Sequence, residues 1–177
     1  MRTYKFYDSD AAGNAEYDIS GEPYRQFLEA CFQHSATVSV LILPEFDGNI
    51  DSWDAYRIPV SLEVYRHYGV SPDQEADWIN CFEIRHYRLT AQMQKMIQSQ
   101  AGSLFSWTCY FGHHNPDDIA FYRPDGSVLF SSTIHEGETT LFLRDDEDFD
   151  AVLSQEPWIS VPPGWRVTWE TPPTRRE

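Results

Sequence analysis

Cysteine and basic side chains are scarce in this 177-residue chain, and no apolar run approaches the length of a membrane span. The three cysteines, Cys31, Cys81 and Cys109, are odd in number, far apart and form no CxxC pair. That spacing indicates neither a disulfide framework nor a zinc knuckle, and reduced, mostly buried thiols in a cytoplasmic setting are the simplest account. The opening residues MRTYKFYDSD lack the apolar segment of a signal peptide, so a soluble protein is expected. Also missing are a GxSxG elbow, a P-loop, a GxGxxG after a strand and any repeat period. Ser131 and Ser132 near His135 make no triad, because neighbours along a strand point to opposite faces. No enzyme is indicated by these absences, and no cofactor is called for.

The shortage of positive charge is the strongest global signal. Thirteen Lys and Arg face 28 Asp and Glu, for a formal net charge of -15. Residues 85–112 carry three basic groups and no acid, so the acidic excess lies on either side of them. Such a field repels nucleic acid and anionic membrane and attracts basic surfaces. At this length, with 41% apolar and 15% aromatic residues and no low-complexity tail, a single globular domain is expected.

What is present is best specified between Asp117 and Leu143. Residues 119–122 are apolar and aromatic, and Pro124-Asp125-Gly126 is a turn whose glycine accepts positive φ. Val128 to Ile134 then alternate, His135-Glu136-Gly137-Glu138 is a second turn, and Leu141 and Leu143 share a face opposite Phe142. This is an antiparallel meander, and it needs a cover on at least one face.

Around it, Arg2 to Tyr7 reads as a strand. Tyr24, Phe27, Leu28, Cys31 and Phe32 form one helical stripe behind a Ser20 N-cap, with Pro23 in the first turn. VSVLIL at 38–43 reads as a strand buried on both faces. Residues 59–68 fit either a strand or a helix, and helix is favoured. Ser71-Pro72-Asp73-Gln74 has capping-box spacing and opens a helix running to about Gln100, with a possible break across 81–90. On it, Arg85, Arg88, Gln92 and Lys95 would form a basic stripe that neutralises acidic groups of the same fold. Leu104 to Phe111 reads as a further strand. Asp145 to Asp150 would open a short helix, and residues 157–172 give two extended pieces, the second with Trp165, Val167 and Trp169 on one face. The class is α+β: an antiparallel sheet of about five to seven strands, with the Tyr24 and Ser71 helices packed on one face.

Two groups of residues invite chemistry. His113, His114, Asp117, Asp118, His135 and Glu136 are metal-compatible and fall at one end of the meander, since its first strand begins where its second ends; His113, His114, Asp117 and His135 are the leading set. A small metal-dependent hydrolase or metal-binding domain would use them, although no HxxxH or HxH spacing places two ligands on one element. The other group is acidic: Asp145, Asp146, Glu147, Asp148 and Asp150, with Glu45, Asp47, Asp51 and Asp54 elsewhere.

The strand, Asp-Gly turn, strand, His-Glu-Gly turn, strand order of FYRPDGSVLFSSTIHEGETTLFL, followed by acidic residues, resembles small acidic immunity proteins of bacterial polymorphic-toxin systems. The likeness spans about 40 residues of the chain. It implies a stoichiometric, non-enzymatic inhibitor that binds a basic partner, such as a nuclease toxin, and blocks its active site or substrate groove. On that reading Asp145, Asp146, Glu147, Asp148, Asp150, Asp47 and Asp51 stand where phosphates would bind, and exposed Trp53 or Trp158 supplies an apolar anchor.

Overall fold

In the computed structural model, residues 1–9, 16–43, 45–58, 83–155 and 158–162 are described. Their strands are β1 (Arg2–Tyr7), β2 (Thr37–Ile42), β3 (Arg57–Ile58), β4 (Glu83–Arg88), β5 (Asp117–Tyr122), β6 (Val128–Thr133), β7 (Glu138–Leu143) and β8 (Ile159–Val161). They form one eight-stranded sheet in the order β3-β4-β2-β5-β6-β7-β1-β8, and every pairing is antiparallel. The helices are α1 (Gly21–His34), α2 (Ala91–Gln100) and α3 (Asp150–Gln155). The class is α+β, as the sequence implies, with one strand more than the five to seven expected.

The meander β5-β6-β7 sits mid-sheet, and the period-2 pattern explains its register. Val38 pairs with Tyr87 on one side and Phe121 on the other; Phe121 pairs with Phe130, Phe130 with Leu141, and Leu141 with Tyr4. This is a row of large apolar side chains across six strands. Over it lies α1, whose Phe27 meets Phe130 edge-on at 4.9 Å and whose Phe32 meets Phe121 at 5.8 Å. Cross-strand pairs of this kind fix register, because a one-residue slip would turn the whole row to the other face.

The adjacent row is small and polar: Ser39 pairs with His86 and Ala120, Ala120 with Ser131, Ser131 with Thr140, and Thr140 with Lys5. Its polar groups find partners inside the fold. Ser39 Oγ lies 3.1 Å from the Tyr122 hydroxyl, and Lys5 Nζ donates to Glu138 Oε1 at 2.5 Å. Burial holds the His86 imidazole below its usual pKa.

The structure corrects several expectations. Residues 83–88 are a strand, second from the sheet edge between β3 and β2, so the break allowed across 81–90 is real and no continuous helix reaches Gln100; α2 begins afresh at Ala91 behind Thr90, whose Oγ1 accepts from the Met93 amide. The β-branched and aromatic content of EIRHYR prevails over the helical spacing there. Arg85 and Arg88 therefore share no helix stripe with Lys95; Arg85 pairs instead with Glu83, which also receives Arg57. Leu104 to Phe111 is not a strand: residues 104–106 make a 3-10 turn behind Ser103, and Trp107 buries its indole with Nε1 donating to the Tyr24 hydroxyl at 2.6 Å. The first extended piece after Pro157 is edge strand β8. The readings at 59–68, at Ser71 and at Trp165 to Trp169 lie outside the described residues.

Candidate functional site

The acidic segment follows directly from the end of β7. Leu143 is its last core residue, and the chain then turns through Arg144 to Asp148 before α3 starts at Asp150. The carboxylates at 145–148 are thus in a turn and not on a helix, contrary to the sequence reading. Mutual repulsion among them would splay such a turn unless something pins it.

The pin is Glu147. Its carboxylate points inward and is 6% exposed, against Arg123 at 3%. Arg123 Nε donates to Glu147 Oε1 at 2.5 Å and Nη2 to Oε2 at 2.7 Å, a fork-on-fork pair. The guanidinium also donates to the carbonyls of Val128 and Phe142, and the Arg144 amide donates to Glu147 Oε2 at 2.7 Å. Burial alone would raise the Glu147 carboxyl; the hydrogen bonds from Arg123 and Arg144 outweigh it and hold it below its usual value. One layer further out, Arg144 donates to Asp125 in the β5-β6 turn, and this hydrogen bond holds Asp125 well below the usual carboxylate range. Gly126 takes φ +82 in that turn, as the Asp-Gly pattern requires.

With Glu147 turned in, Asp145, Asp146, Asp148 and Asp150 point outward. They and Glu147 line an open hollow of about 420 Å³, together with Arg2. Arg2 Nη2 donates to the backbone carbonyls of Glu147 at 3.2 Å and Arg144 at 3.4 Å. The hollow is a mostly acidic recess, with the Arg2 guanidinium in its lining and the Met1 ammonium 3.9 Å from Asp145, able to receive an ammonium or guanidinium group.

The other expected contact residues are elsewhere. β5 and β7 run in the same direction, so the acidic turn after β7 lies at the opposite end of the sheet from Asp47, which follows the end of β2 beside the start of β5. Asp47 is exposed and accepts from His114 Nδ1 at 2.8 Å, a bond that lowers its pKa. Asp51 is exposed at the start of a 3-10 turn. Trp53, in the same turn, is not a surface anchor: it is 2% exposed, edge-on to Tyr87 at 5.5 Å and 6.3 Å from Trp107. Trp158 is partly buried against Phe6 and Phe27. Both tryptophans serve the core.

The expected metal residues do not converge. His114 is engaged by Asp47; Asp117 is buried and accepts from the Cys109 amide at 2.9 Å; His135 stands 3.9 Å from Asp118 and from Glu136. Among the described residues, no three His, Cys, Asp or Glu side chains are placed to hold a metal ion. The end-of-sheet juxtaposition is real, but it joins His135 to Asp118 and not to His113 or His114. Nor is Cys109 an activated thiol, since burial and the hydrogen bond with Asp117 push its pKa up to about 11.

Sequence reasoning missed Arg123, the residue that organises the hollow, because it falls between the apolar stretch at 119–122 and the Pro124-Asp125-Gly126 turn and carries no pattern of its own. It also missed the tip at Tyr110 and Phe111, read as the end of a strand. The available signals were an arginine at the end of an otherwise apolar strand and a Phe-Gly step ahead of His-His-Asn-Pro. The chain matches no protein-family model, no curated protein and no solved structure.

Proposed function

We propose that this protein is a non-enzymatic, acidic protein-binding module that engages a basic partner. The hollow bounded by Asp145, Asp146, Asp148 and Asp150 receives Lys or Arg side chains of that partner. The observation that carries this reading is the pinned turn. A buried Arg123-Glu147 pair anchors the turn that carries four exposed carboxylates, in a chain of net charge -15. Pre-organised charge lowers the ordering cost of binding and steers encounter with a positive surface. The same field disfavours nucleic acid and anionic membrane as partners.

The immunity-type role implied by the meander resemblance is the more specific form of this proposal. A nuclease toxin presents the phosphate-binding cations that such a hollow would occupy. The deciding experiment is capture with the tagged chain from its own source, at low and high salt, beside the D145N/D146N/D148N/D150N variant. Recovery of a basic protein that is lost at high salt and with the variant supports the proposal. Capture that ignores both salt and the four substitutions refutes it.

A further inference from the structure

At the other end of the sheet, the loop before β5 carries an exposed aromatic pair. Among the described residues the exposed large hydrophobic side chains are Met1, Tyr110 at 40% and Phe111 at 89%. Phe111 has φ +58 and is followed by Gly112 at φ +82. Asparagine or glycine would take the left-handed conformation at 111 more readily, and a polar side chain would sit more comfortably in water there. Fold stability therefore gives no reason for phenylalanine at this position.

The loop is nonetheless held firmly. Tyr110 N donates to Thr108 Oγ1 at 3.2 Å, and the His113 amide closes a turn onto the Tyr110 carbonyl at 3.0 Å. Below them, Asn115 Nδ2 donates to the Ser106 carbonyl at 2.8 Å and Asn115 Oδ1 accepts from Gln100 Nε2 at 2.9 Å. The Cys109 amide is anchored on buried Asp117. On the flank, the 45–49 loop is tied to it through Tyr110 to Glu45 at 3.4 Å and His114 to Asp47 at 2.8 Å. Gly48 lies so close to the His114 carbonyl that a Cβ would collide with it. Both acids remain exposed beside the aromatic tip.

We infer that Phe111, supported by Tyr110, is an aromatic anchor that inserts into an apolar recess on a protein partner whose rim carries Lys or Arg groups facing Glu45 and Asp47. The charge of the flanking loop selects the basic rim, and the fixed backbone limits the entropy lost on docking. This rests on the binding-module reading for the class of partner. It uses a surface separate from the hollow, which is what makes the two separable by experiment.

The test places a photo-crosslinking benzoyl-phenylalanine at position 111 and identifies the adduct peptide in cells of the source. Affinities of the purified partner are then measured for wild type, F111N and the four-Asp variant. The adduct is expected on an apolar surface flanked by Lys or Arg, with F111N weakening binding by about 30-fold or more, as loss of a central aromatic anchor does. F111N is also expected to raise Tm by about 2–4 °C, since asparagine relieves the backbone conformation at 111. A loss of binding to F111N with full binding by the four-Asp variant keeps the anchor and overturns the hollow. Wild-type affinity of F111N, no adduct at 111, or an adduct on an acidic surface overturns the anchor.

Discussion

Replacing Glu147 by glutamine should be among the most damaging single-atom changes this fold can suffer. The substitution keeps the size and one acceptor oxygen but leaves the Arg123 guanidinium, 3% exposed, without a counter-charge. Breaking one side of a buried pair costs about 3–5 kcal/mol. The carbonyls of Val128 and Phe142 still accept from Arg123, which places E147Q near the lower end, about 3 kcal/mol. For a chain of this size that is a Tm loss of about 6–12 °C. R123M/E147L removes both charges and should recover part of the E147Q loss, because desolvation of the pair offsets most of its attraction, while the Val128 and Phe142 carbonyls and the Arg144 amide still lose their partners. Urea unfolding of wild type, R123M, E147L and R123M/E147L measures the coupling directly, with E147Q beside them. The pH dependence has a definite sign. The folded Glu147 carboxyl is held below the ordinary glutamate value, so its contribution is full above that ordinary value and is lost as pH falls through the lowered folded one. E147Q should lack that acid limb. An E147Q stability within about 0.5 kcal/mol of wild type at pH 7 would refute a dry, coupled pair.

Asp118 gives the opposite pH sign. It has φ +48, its Oδ1 accepts from the Ile134 amide at 2.7 Å, and burial pushes its pKa from 3.8 up to about 6. Its stabilising contribution is full below the unfolded value and is lost as pH rises through about 6. D118N, which keeps the acceptor and suits the left-handed backbone, should therefore be more stable than wild type at pH 7 by about 1–2 kcal/mol and equal to it below pH ~4. Urea titrations across that range check this, and a less stable D118N at pH 7 contradicts it. Gly137 caps the second meander turn at φ +64, and a Cβ there would collide with the Asp8 carboxylate. G137A should cost about 1–3 kcal/mol by thermal unfolding, and an unchanged Tm would show that Asp8 moves aside freely. W53A should cost about 3–5 kcal/mol and leave partner binding unaltered once folded; a selective binding loss would return Trp53 to the surface role the structure denies it.

The sequence revealed most where pattern and burial agree. The meander was legible because Asp-Gly and His-Glu-Gly turns bracket short strand-forming runs, and α1 because its five apolar positions, all buried, keep helical spacing. Residues 83–88 were not legible as a strand: Phe82, His86 and Leu89 keep helical spacing by coincidence, and a polar row running through a sheet centre defeats period-2 reading. Leu104 to Phe111 misled for a related reason. Its aromatics are core-filling from a turn, as Trp107 and Leu104 are, or exposed, as Phe111 is, and composition cannot separate the two. The acidic turn was visible as composition, but which carboxylate faces inward depends on Arg123, more than twenty residues earlier, and long-range pairing leaves no local trace.

The proposed contact for a basic partner is the set of exposed carboxylates at 145–150. The most direct measurement is the affinity of the captured, purified partner as a function of salt, for wild type and for D145N/D146N/D148N/D150N. Wild-type affinity should fall by roughly tenfold or more from low to high salt, chiefly through a slower on-rate, while the variant binds weakly with a shallow salt dependence. Equal affinities and equal salt dependences for the two proteins would contradict it.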